Sequence, residues 1–83
     1  MDADLQAVAN WMDEIEYKMQ EFDVDLNLRA ITNFNNALLN VAVNRFVATE
    51  GCHGSATILW RLADALNNGA YGSAPLELTQ LDA

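Results

Sequence analysis

Cys52 and His53 are the two residues whose types point most directly to chemistry. A thiol beside an imidazole is a nucleophile beside a base, the pairing used in covalent catalysis. Sequence neighbours, however, rarely point at each other, and catalytic Cys/His pairs usually meet through the fold. Cys52 is the single cysteine and His53 the single histidine. A structural zinc needs four protein ligands and a catalytic zinc three. One Cys and one His fall short unless subunits share the site or Glu50 joins it. The competing account is structural: Gly51 and Gly54 flank the pair and make a turn that allows close packing. A small-ligand or enzymatic site at Cys52 and His53 is therefore the last of three functional expectations, and no metal or cofactor is expected.

The carboxylates are the second group. Residues 1–25 hold eight of the twelve acids against Lys18 alone, and the rest of the chain holds four acids and three arginines. The net charge of −8 therefore sits almost wholly in the first third of the chain. Paired carboxylates serve as general acid and base, or bind divalent ions, when they converge in a partly dry pocket. Asp13, Glu14, Glu16 and Glu21 instead share the polar side of one helical segment, which is convex and solvated. Their field repels phosphates, so direct nucleic-acid binding is not expected. It attracts a basic protein surface. Trp11, at the margin of the apolar side, adds the kind of aromatic anchor that interfaces favour.

The third group is neutral. Asn33, Asn36, Asn40 and Asn44 recur at spacings of 3, 4 and 4, which makes one polar stripe along a helix, with Asn35 beside it. Asparagine is a poor helix former, costing up to ~0.7 kcal/mol against alanine. Each amide both donates and accepts, so the stripe is a candidate partner surface. Amides that satisfy one another are the alternative. No glycine-rich phosphate loop, nucleophile elbow, HExxH or CxxC pair is present.

The elements that position these groups follow from periodicity. Leu5, Val8, Met12, Ile15, Met19 and Phe22 are spaced 3, 4, 3, 4 and 3, which predicts a helix over about 2–22 with a single packing seam. Asp2 or Asp4 caps its start. Glu14 and Lys18 lie i, i+4 in the favourable order. The segment 22–25 is a break, with Asp23 or Asp25 as the next cap. A second helix is predicted over about 26–49. Ile31, Phe34, Leu38, Val41 and Arg45 make one face, and Leu39, Val43, Phe46 and Val47 widen it to a second. A helix apolar on two faces usually lies between neighbours or against another subunit.

Glu50-Gly51 supplies the stop. Ser55 is the expected N-cap of a third helix running to about Asn67, with Ile58, Leu59, Leu62, Ala63 and Leu66 facing inward and Trp60 at the margin. Asn68-Gly69 ends it. In the tail, residues 70–83, Ser73 and Pro75 permit a short fourth helix. Leu76, Leu78 and Leu81 suggest that the tail docks.

These elements predict a single all-α domain over residues 1–83, either a small three-helix bundle or a helical hairpin plus a third helix. A chain of 83 residues buries only about 60–65% of its unfolded surface. Such chains lean on disulfides, metals or oligomerisation. One cysteine excludes an internal disulfide, which leaves self-association as the expected device.

The lone cysteine fits a reducing compartment, and the N-terminus lacks signal-peptide character. No apolar run approaches the ~18–20 residues a membrane span needs. A cytoplasmic protein is expected; a viral protein acting in host cytoplasm would carry the same signals. The leading functional expectation is a non-catalytic acidic module that binds a protein partner with a basic surface. An inhibitor that occupies the nucleic-acid-binding surface of its target is one form of it. The second expectation is a self-associating, dimeric helical subunit.

Overall fold

The computed structural model describes residues 3–22, 27–70, 72 and 74–79. Among them the protein is helical, with no strand. Two α-helices account for the secondary structure: α1, Ala3–Met19, and α2, Leu28–Asn67. The three-helix arrangement is thus replaced by two long helices, because the expected turn between the second and third helices does not form. Gly51 departs from helical geometry, with φ 74° and ψ 174°, but the residues on both sides of it are helical. The glycine stop therefore acts as a kink, and the chain re-enters the helix at Cys52.

Ser55 is accordingly not a cap. It lies inside α2 and is 3% exposed, and its Oγ has no hydrogen-bond partner among the described residues. Thr57, two positions on, bonds back to the His53 carbonyl at 3.2 Å.

The ends of α2 follow local rules. Asn27 is the N-cap: its Oδ1 accepts from the Ala30 N–H at 2.9 Å, and its carbonyl accepts from Ile31 at 3.1 Å. The helix so begins two residues later than the spacing implied. Asp23 and Asp25, the other candidate caps, lie outside the described residues, as do Asp2, Ser73 and Leu81. At the far end the Ala70 N–H donates to the Ala65 carbonyl and the Gly69 N–H to the Leu66 carbonyl, both at 3.0 Å. Gly69 has φ 81°. This double bond pattern is the Schellman closure, which uses a left-handed residue to satisfy the last carbonyls.

α1 ends earlier than its seam. Tight i→i+3 bonds from Gln20 to Tyr17 and from Glu21 to Lys18 close it, so Phe22 falls beyond the helix.

The chain divides into two compact units. One comprises residues 22–57. Within it the Phe22 ring meets Phe34 in a tilted pair with centroids 5.6 Å apart. Such a pair adds about 0.5–1.5 kcal/mol beyond area burial. Ile31, Ala42, Val43 and Phe46 are partly covered.

The other unit comprises residues 1–21 and 58–83. Its centre is Ile58, 5% exposed and the one buried apolar residue among those described. Leu59, Leu62 and Ala65 are partly covered, while Ala63, Leu66 and Trp60 are exposed. Residues 74–79 are not helical, so the fourth helix does not form over them. They act as a strap. The Leu78 carbonyl accepts from Arg61 Nη1 at 3.0 Å, and residues 76–79 face Asp4, Leu5 and Val8 across a cleft of about 180 Å³. Docking of Leu76 and Leu78, expected from their apolar spacing, is seen in their partial burial.

Candidate interaction surfaces

α1 sorts its side chains into three strips. Leu5, Ala9, Met12 and Met19 recur along one line and are partly covered. Val8, Trp11 and Ile15, spaced 3 and 4, lie beside that line and are 41%, 65% and 51% exposed. The continuous seam is therefore split. Val8 and Ile15 belong to the same apolar face by period but not to the covered part of it. A helix covers its apolar arc only as far as its neighbours reach, and here they reach one flank. Asp13, Glu14 and Glu16 are exposed and hold the remaining sides with Tyr17 and Lys18; Glu21, also exposed, lies in the turn past the helix end. On the same polar surface Gln6 Nε2 donates to Asn10 Oδ1 at 3.1 Å.

The split places an indole and two aliphatic side chains in solvent along about two turns of helix. That spacing is the one by which an amphipathic helix inserts into a partner groove. Trp11 matches its expected marginal position. The exposure of Val8 and Ile15 had no signal in the sequence, because the period is the same for covered and uncovered residues.

The asparagine stripe lies on α2 within residues 22–57. Asn33, Asn36, Asn40 and Asn44 are exposed. Asn40 Nδ2 donates to Asn36 Oδ1 at 2.6 Å and to the Asn36 carbonyl at 2.9 Å. Half of the stripe is thus engaged with its own helix. Asn33 and Asn44 make no side-chain hydrogen bond among the described residues. Asn35 is also exposed. The acidic surface and the asparagine stripe fall in different units, and each stands as a separate surface.

The second apolar face of α2 is present and partly open. Leu39 is 51% and Val47 37% exposed, with Val43 and Phe46 partly covered between them. Leu28, Leu38 and Val41 are exposed as well. No carboxylate occurs from residue 27 to residue 49 in a chain of net charge −8.

Cys52 and His53 are both exposed on α2 just after the kink. Among the described residues no three His, Cys, Asp or Glu side chains come together in a way that could hold a metal ion. Among them, too, no helix is long and apolar enough to cross a membrane.

The geometry so far defines an all-helical chain that presents amphipathic faces to solvent. No family model, curated protein or solved structure matches it.

Proposed function

We propose that this chain is a non-catalytic protein-interaction module that offers α1 to its partner as an acidic docking helix. The observation that carries the proposal is the exposed Val8–Trp11–Ile15 stripe on a helix with four carboxylates against Lys18. A tryptophan left about two-thirds in water is costly in a chain so short of buried surface, and a partner pocket removes that cost. The acids set the partner's character. An apolar groove rimmed by lysine and arginine accepts the stripe and is drawn in by the charge. A target whose basic groove otherwise holds nucleic acid has the same chemistry, and on such a target the module acts as an inhibitor.

The test uses four baits on one lysate: the full chain, Trp11→Ala, Glu14→Lys/Glu16→Lys, and Asn33→Gln/Asn44→Gln. The expected result is a partner that the full chain and the asparagine variant retain, and that the other two lose. It elutes as salt rises, because screening weakens exposed charge pairs. Equal retention by all four baits would sink the proposal.

A further inference from the structure

α2 ends at Asn68-Gly69, the one place in the chain where glycine follows asparagine. The carbonyl carbon of an asparagine side chain is within reach of the next backbone nitrogen, and attack by that nitrogen closes a cyclic imide. A side chain on the following residue obstructs the approach; glycine has none and its backbone turns freely. Asn68 and Gly69 are both exposed, and a Cβ at Gly69 would meet nothing within 4 Å, so water and base reach the pair.

The closure of α2 keeps the two reacting groups apart. The Gly69 N–H, whose nitrogen is the nucleophile, donates to the Leu66 carbonyl at 3.0 Å. Asn68 Nδ2 donates to the Asp64 carbonyl at 2.9 Å, which draws the side chain one turn back along the helix. The Ala70 N–H donates to the Ala65 carbonyl at 3.0 Å and pins the turn. Helix ends open at little free-energy cost, and each opening releases both groups. We infer that Asn68-Gly69 is a self-modification site, latent while α2 is closed, that converts to aspartate and isoaspartate when the helix end opens. The Gly69 nitrogen gives its proton to solvent base and bonds to Asn68 Cγ. The side-chain nitrogen leaves as ammonia. Water then opens the imide at either carbonyl, so that one amide and one water become one carboxylate and one ammonium. The product does not close as before. Its new charge stands at the negative end of the helix dipole, four residues from Asp64. Isoaspartate also lengthens the main chain by a methylene, so the conversion runs one way.

The experiment keeps the full chain at pH 8 and 37 °C, in buffer and in 6 M guanidinium chloride, and follows residue 68 by peptide mass mapping with isoaspartate detection. In denaturant Asn68 should convert faster than every other asparagine and give both products. In buffer its rate should be at least about tenfold lower, because only the open fraction reacts. Ala70→Pro, which removes the donor that pins the turn, should raise the rate in buffer at least about threefold. Gly69→Ala should slow conversion in denaturant at least about tenfold, because the added methyl obstructs ring closure. Equal rates in buffer and denaturant, or no acceleration by Ala70→Pro, refutes the lock. Aspartate without isoaspartate, or a rate in denaturant indifferent to Gly69→Ala, refutes the imide route.

Discussion

α1 and the 28–50 stretch of α2 are both amphipathic helices that leave apolar side chains in water, yet charge surrounds those side chains differently. α1 has four carboxylates against one lysine, and α2 to Glu50 has two arginines against one carboxylate. The same hydrophobic force therefore acts under opposite electrostatic constraints. The field of the α1 carboxylates opposes acidic surfaces and favours basic ones. Along residues 28–49 of α2 no carboxylate surrounds the exposed apolar side chains. The lesson is that exposed apolar area sets how much a surface gains from being covered, while the flanking charges set by what.

The largest effect that tests this contrast is on the α1 side. Trp11→Ala should reduce partner affinity about thirtyfold or more, the loss of a hot-spot residue worth ~2 kcal/mol. Its thermal unfolding midpoint should stay within a few degrees of the parent, because the indole is mostly exposed. A large fall in melting temperature would mean that Trp11 belongs to the fold rather than to the interface.

The next effect probes the kink, which separates the 28–50 seam from the rest of α2. Gly51→Ala should destabilise the chain by about 1–2 kcal/mol, because φ is positive there and an L side chain is strained. A Cβ at that position meets nothing within 4 Å, so the cost is conformational and not steric. Urea titration measures it. No loss of stability would indicate that α2 straightens freely through residue 51.

Ser55→Ala carries the opposite sign. Among the described residues its buried hydroxyl has no partner, a state that costs about 1–3 kcal/mol. Removing the oxygen should raise stability by about 1 kcal/mol, or roughly 4–8 °C in melting temperature for a chain of this size. A decrease would reveal a bond to Oγ.

Salt gives the smallest effect and the most direct comparison. Between 50 and 500 mM NaCl the α1–partner affinity should fall several-fold, as the Debye length shrinks below the spacing of exposed charges. An affinity that stayed constant over that range would detach recognition of α1 from its acids.

Particular elements show how far the sequence could be followed. The heptad spacing of Leu5 to Met19 marked α1, and Asn68-Gly69 marked the end of α2, because both rest on interactions within a few residues. Gly51 was visible as an interruption. Whether it makes a turn or a kink depends on the next turn of helix forming at once, and Ser55, a good cap by type, lies inside that turn instead. Asn27 caps α2 although Asp23 and Asp25 are equally good caps by residue type, because the choice depends on where the first turn of helix closes. At the surfaces, residue type identified Trp11 and the acids but not the exposure of Val8 and Ile15.

Local chain chemistry alone determined that this protein is helical, where its charge collects and which residues share a helix face. Backbone hydrogen bonds, caps and side-chain periods act over at most a few residues, so they are written directly in the order of the chain. Contacts between distant residues decided the rest. The strap held by Arg61 on Leu78, and the covering of Leu5 and Met12 but not of Ile15, depend on what arrives from elsewhere in the chain. A hydrophobic period names the side of a helix that gains from being covered; only tertiary packing determines how much of that side is.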